Sequence, residues 1–157
     1  MKEENDKKGA AVKFPPPFIF LGFILAASAI QYCWPFSFLS SIGFKLIGVV
    51  VILIGLAIVV AAGLIFKKVD TNIEPWKPTS KIVSSGVFAY SRNPIYVAFC
   101  LAPIGIGFIV GSFWILMSFV PAAITVYFVA IKKEEAYLEK KFGDEYRAYK
   151  NNVRRWL

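Results

Sequence analysis

A chain of 157 residues that is 57% hydrophobic and 17% aromatic, with a formal net charge of +8, is too apolar for an ordinary soluble domain, where apolar residues run nearer ~45–50%. It has no histidine, which excludes histidine-based acid–base catalysis and most transition-metal sites. Cys33 and Cys100 lie in or near apolar stretches without disulfide or metal spacing, so inert thiols and no metal site are expected.

Residues 1–13 are polar and charged and read as a disordered cytoplasmic arm, extended to residue 17 by Pro15-Pro16-Pro17. A first span is predicted over 18–37, with an outer turn marked by Pro35 and the serines from Ser37 to Ser41. Ala27-Ser28-Ala29 has the look of a cleavage site, but cleavage would strand the positive flank, so the segment is expected to be retained. A second span is predicted over 43–66, where Gly43, Gly48, Gly55 and Gly63 suit close helix packing. The apolar block from Asn93 to Ile131 is about twice the ~20 residues of one crossing. It is therefore read as a hairpin of two spans, 94–109 and 112–131, turning near Gly105, Gly107, Gly111 and Ser112. A tail, 132–157, follows.

Seventeen of the 18 basic residues fall in three segments, 1–17, 67–92 and 132–157, and only Lys45 lies elsewhere. Four spans place all three segments on one face, which the positive-inside rule makes the cytoplasm. The fold class expected is thus an all-α integral membrane protein of about four transmembrane helices. It is multi-pass with both termini cytoplasmic, and residues 18–157 form a single membrane domain. The charge sits in juxtamembrane flanks, where it favours anionic lipid head groups over nucleic acid.

The polar segment 67–92 is long for a connector, and long structured loops tend to be functional. It leads into Ser91-Arg92-Asn93-Pro94, a helix-start signal in which Asn93 can cap and Pro94 takes the first helical position. Such a helix end attracts a carboxylate or phosphate. After the fourth span the helix is expected to continue, with Tyr127, Ile131, Glu135, Leu138 and Phe142 in one stripe at 100° per residue. Glu135 in that stripe needs a partner, because an unpaired buried charge is costly. Gly143 can end the helix and Asp144 can cap the next. Trp156 reads as an interfacial anchor. The loop, the start of the third span and the glutamates after the fourth together outline a cytoplasmic pocket.

Two stretches carry a resemblance. Ser84-Ser85-Gly86-Val87-Phe88-Ala89-Tyr90-Ser91-Arg92-Asn93-Pro94-Ile95-Tyr96, and Glu134-Glu135 followed by Leu138, Phe142-Gly143, Tyr146 and Tyr149, resemble signatures of isoprenylcysteine carboxyl methyltransferases and related phospholipid methyltransferases. The similarity covers about residues 70–157. It implies methyl transfer dependent on S-adenosylmethionine, in a pocket formed by the cytoplasmic loop and C-terminal helices. Mapped residue by residue, it puts cofactor contacts on Ser80, Lys81, Ile82, Val83 and Phe88, on Asn93, Pro94, Ile95 and Tyr96, and on Glu134 or Glu135. Phe88 and Tyr96 are expected to pack on adenine. The family's substrate-binding arginine falls on Ala130, so Arg92, Arg154 or Arg155 would act as the catalytic cations toward the acceptor. The family's frequent histidines are replaced by Asn93 and Ser80. The acceptor implied is apolar and membrane-associated, bearing a carboxyl, thiol or lipid head group. The rival readings are an NADPH-dependent sterol-type membrane reductase and a non-catalytic scaffold of the same fold. A transporter would lack intramembrane charges other than Lys45.

Overall fold

The computed structural model describes residues 9–38, 41–72, 74 and 76–157. The first eight residues of the arm, part of the outer turn (39–40) and Pro75 lie outside the described residues. The described residues are helical, without strands; one isolated bridge pairs Ser37 with Ser112. The helices are α1 (Pro16–Cys33), α2 (Ile42–Val69), α3 (Pro94–Val110), α4 (Phe113–Met117), α5 (Phe119–Val126), α6 (Lys132–Phe142) and α7 (Asp144–Asn152). A 3₁₀ turn at Gly86–Ala89 precedes α3, and a π-helical turn at Tyr127–Ile131 joins α5 to α6.

Three helical runs are long and apolar enough to cross a membrane: Pro16–Cys33, Ile42–Val69 and the continuous stretch Phe113–Phe142. The chain is therefore an integral membrane protein. Pro94–Val110 is also apolar but has 17 residues, at the short end of the ~17–25 that span a bilayer. Helix ends differ from the sequence expectation for local reasons. Helix α1 starts two residues early because proline suits the first helical turn. It stops at Cys33 because Trp34 precedes Pro35 and is biased away from helical torsions.

The structure divides into two compact units. One comprises Met1–Pro15, Val59–Pro94 and Tyr127–Leu157; the other comprises Pro16–Ile58 and Ile95–Val126.

In the second unit, small residues let helix backbones approach. A Cβ on Gly48 would stand 2.5 Å from the Gly105 carbonyl oxygen, and one on Gly105 would stand 2.5 Å from Ile52 Cγ1. Gly55 meets the Ala98 carbonyl in the same way at 3.2 Å. Of the four glycines expected to serve packing in α2, Gly48 and Gly55 do so. Gly63 faces open space, and Gly43 meets only Ser41 Oγ at 3.6 Å. Gly105 and Gly107 lie inside α3 rather than in the hairpin turn, which is made by Gly111 (φ 70°) and Ser112. Ser112 Oγ accepts the Ile115 N–H at 3.3 Å and caps α4. It also donates to Gln31 Oε1 at 2.8 Å, and Gln31 Nε2 donates to Ser37 Oγ at 2.9 Å. Trp114 Nε1 closes this rim on the Trp34 carbonyl at 2.9 Å.

In the first unit, Gly9–Lys13 are packed in part, with Ala11 and Lys13 exposed. Ala10 and Val12 are buried, and Gly9 sits against the backbone of Lys77. The disorder expected for the arm therefore does not extend to these residues.

Candidate functional site

The site lies within the first unit and is built on the loop after α2. Ser80 N donates to Thr71 Oγ1 at 3.0 Å, Ser80 Oγ donates to the Asp70 carbonyl at 3.1 Å, and Asn72 Nδ2 donates to the Pro78 carbonyl at 2.8 Å. These bonds draw Asp70, Thr71 and Asn72 onto Pro78 and Ser80. Thr79 N donates to Tyr137 Oη at 3.3 Å and ties the loop to α6. The chain then runs without helix from Lys81 to Ser85. Among the described residues, the peptide groups of Lys81, Ile82 and Val83 make no backbone pairing with the protein.

Gly86, at φ +59°, turns the chain where a Cβ would strike Ile65 Cδ1 at 2.6 Å; glycine takes this left-handed torsion without strain. The turn drives Phe88 inward, where its ring meets Phe66 edge-on at 5.3 Å. Tyr149 Oη donates to the Phe88 carbonyl at 2.7 Å. Phe88 is thus buried, 7% exposed, against the Phe66 ring.

The turn before α3 grips the C-terminal segment. Arg92 N donates to the Arg154 carbonyl at 2.9 Å. Ser91 Oγ and Asn93 Nδ2 both donate to the Arg155 carbonyl, at 3.3 and 3.0 Å. Ser91 Oγ also accepts the Asn93 N–H at 3.1 Å. The Asn93 amide therefore serves as a clamp on the tail. Ser91, 2% exposed, is a member of this clamp that the sequence reading left out.

Across the clamp, Arg155 presents Nε and Nη2 to the two oxygens of Glu135, each at 2.9 Å. Its guanidinium carbon lies 5.1 Å from the centre of the Tyr127 ring. The hydrogen bonds to Glu135 raise the Arg155 pKa. Arg92 Nη1 is 3.2 Å from the same Glu135 oxygen. That is ion-pair distance, but the atoms are not aligned for a hydrogen bond, and Arg92 Nε and Nη1 are buried without an acceptor. Tyr146, 2% exposed, lies beside the cluster. Burial first, and then the negative charge of Glu135, push its hydroxyl up to about 12, partly offset by Arg92. Tyr149 is raised as well, mainly by burial. The spacing of Tyr146 and Tyr149, one turn apart on α7, was the available signal for both.

The structure thus brings Arg92, Asn93, Glu135 and Arg155 together. Glu134 lies one residue away in the first turn of α6. Ser80 and Lys81 are exposed, Ile82 is half-buried and Val83 is buried. Pro94 begins α3. Ile95 and Tyr96 belong to the second unit, where the Tyr96 ring packs 6.4 Å from Phe99. The Arg154 side chain is exposed, and only its carbonyl is engaged. Asp144 is the first residue of α7 rather than its cap and pairs with Arg147 at 2.7 Å. An open cleft of about 460 Å³ is lined by Ile82, Ser84 and Ala89 on one side and Glu145, Ala148, Tyr149, Asn152 and Val153 on the other. Of the expected cofactor residues it contains only Ile82. Among the described residues, no group of three or more His, Cys, Asp or Glu could hold a metal ion.

Comparison with known proteins gives a family match over residues 44–145, described as phospholipid methyltransferase. A protein-S-isoprenylcysteine O-methyltransferase of Schizosaccharomyces pombe is 35% identical over 72 residues, 46% of this chain and 30% of the relative. An uncharacterized protein of Haemophilus influenzae is 74% identical over 27 residues, 17% of this chain and 43% of that protein. The chain spans less than half the length of either relative.

Proposed function

Since the chain belongs to the phospholipid methyltransferase family, we propose that it transfers a methyl group from S-adenosylmethionine to an apolar, membrane-associated acceptor bearing a carboxyl, thiol or lipid head group. The observation that carries this reading is the meeting of Arg92 and Asn93 with Glu135 and Arg155 in one cluster. These residues come from segments separated in sequence by α3 to α5, and both segments hold the residues on which the family resemblance rests.

The residues fit such a cofactor. Lys81, Ile82 and Val83 offer peptide donors and acceptors with no backbone partner among the described residues, suited to the edge of an adenine. A carboxylate at the start of α6 suits ribose hydroxyls or an ammonium group. Both Glu135 oxygens are engaged by Arg155, and Glu134 stands beside it in the first turn of α6, so the acidic contact comes from one of this pair. Asn93 acts one step removed, by fixing the tail that carries Arg155. Phe88 shapes the floor of the loop from within the core.

When bound, the cofactor supplies a methyl already activated on a sulfonium sulfur, so transfer leaves a neutral thioether and requires no metal. The protein's task is then alignment, and effective concentration can account for ~7–11 kcal/mol of such a barrier. A carboxylate acceptor needs no general base, which suits a chain without histidine. In the same reading α3 is a fourth crossing, and both ends of the chain face the cytoplasm.

Titration calorimetry of the detergent-solubilised protein tests this. Micromolar affinity for S-adenosylhomocysteine, with none for NADPH, is the expected result. Binding of NADPH alone would overturn it in favour of a reductase, and binding of neither by folded protein would leave a scaffold.

A further inference from the structure

The segment ahead of α1 has one side laid on the protein. Ala10 and Val12 are 8% and 3% exposed, while the alternate residues Ala11 and Lys13 are exposed. Gly9, at φ +52°, has no room for a side chain. A Cβ there would collide with the Lys77 carbonyl oxygen and stand 2.7 Å from its carbon and 2.9 Å from the Lys77 nitrogen. Glycine is thus required both by the torsion and by the space. Ala11 takes a left-handed torsion too, φ +51°, which is unfavourable for a residue with a Cβ; the burial of its two neighbours offsets it. Among the described residues no backbone hydrogen bond ties residues 9–13 to the rest of the chain, so the hold rests on packing.

What lies under Gly9 is the bend that leads into the loop of the site. Lys77 N donates to the Glu74 carbonyl at 3.0 Å, and Lys77 Nζ pairs with Glu74 Oε1 at 2.7 Å. The next three residues are fastened to Asn72, Tyr137, Thr71 and Asp70. Directly after them come Lys81, Ile82 and Val83, whose peptide groups have no backbone partner among the described residues. Most of these fastenings are exposed, where water competes for the same groups and each contributes little. Apolar burial by the arm meets no such competition. We propose that Gly9–Val12 is a strap over the bend at Lys77, and that Gly9 and Val12 are positioning residues. Through Lys77 they set the course of residues 78–83, so that the free peptide groups stand where the methyl donor's nucleoside binds. The proposal rests on the methyl-transfer reading and adds to it a segment that lies ahead of the family match, which begins at residue 44.

The test compares full-length Gly9→Val and Val12→Asn with wild type in detergent, by amide hydrogen exchange and by calorimetric titration with S-adenosylhomocysteine. The bonded amides of Thr79 and Ser80 report the loop. The Arg92 amide, bonded to the Arg154 carbonyl, reports the fold away from the strap. In both variants the Thr79 and Ser80 amides should exchange faster while Arg92 keeps its wild-type rate. Affinity should fall about fivefold, the loss that follows when the competent loop is occupied roughly one-fifth of the time. Saturating S-adenosylhomocysteine should return the two amides to the wild-type rate, because ligand and strap favour the same loop geometry. A merely structural defect would not be repaired in this way. Lys13→Gln, at an exposed neighbour, should match wild type throughout.

Wild-type exchange at Thr79 and Ser80 in both variants, or wild-type affinity in both, overturns the strap. An Arg92 amide that speeds up with the others overturns it as well, since the damage would then be general. A wild-type protein that binds no S-adenosylhomocysteine removes the methyl-transfer reading and the strap's part in binding with it. That failure is distinct from the strap's own, because it appears before any substitution is made.

Discussion

Asn93 shows how far single residues could be read in advance. Its position at the start of α3 was legible from Pro94. Its partner was not, because the Arg155 carbonyl lies 62 residues along the chain and no local pattern points there. Phe88 was ambiguous for the opposite reason. An aromatic residue beside a loop can face a ligand or the core, and the positive torsion at Gly86 decides for the core. Glu135 was expected to need a partner, and the partner is Arg155. At this scale the structure makes a prediction about pH. The Tyr146 hydroxyl is held near 12 in the folded protein, against an ordinary value of about 10. Between those values the unfolded chain has lost a proton that the folded chain keeps. Stability is therefore complete below pH 10 and falls as pH rises, by about 2–3 kcal/mol in all. Thermal midpoints measured from pH 9 to 12 should show this decline, and Tyr146→Phe should flatten it while leaving the share that belongs to Tyr149.

At the scale of elements, helix existence was legible from apolar blocks, and helix ends from proline and glycine. The stripe drawn through Tyr127, Ile131, Glu135, Leu138 and Phe142 assumed an unbroken α-helical period. The chain instead makes a π turn at Tyr127–Ile131, which winds more residues per turn and shifts the faces on either side of it. Composition does not announce such a turn. Glycines were equally ambiguous until their neighbours were known. In Gly107→Ala the new methyl would meet the Leu116 backbone at 2.6 Å, and the variant should lose about 1–3 kcal/mol through overpacking. Gly63→Ala finds nothing within 4 Å and should gain up to about 1 kcal/mol from helix propensity alone. Thermal melts of the two variants in detergent should move in opposite directions; a common direction would contradict the packing described for α3 and α4.

For the molecule as a whole, composition was enough to establish a membrane protein, but length alone leaves α3 at the margin of a crossing. The two cysteines provide a test of the proposed four-span topology without mutation. Cys33 is exposed at the end of α1, whereas Cys100 is buried. A membrane-impermeant maleimide applied to intact cells should label Cys33 alone, and a tag fused after the polar tail should stay protected until the membrane is opened. Labelling only after the membrane is opened would reverse the orientation. The ion pairs of the first unit carry one more consequence. Glu139 joins α6 to α7 through Lys150 at 3.2 Å and Arg147 at 3.6 Å, and all three side chains are at least 37% exposed. Exposed pairs of this kind are screened by salt, while buried ones are affected much less. Raising ionic strength should therefore loosen the joint at Gly143 before it disturbs Glu135 and Arg155, so that brine and fresh buffer would find the same grip on the tail but a different stiffness in the helix that leads to it.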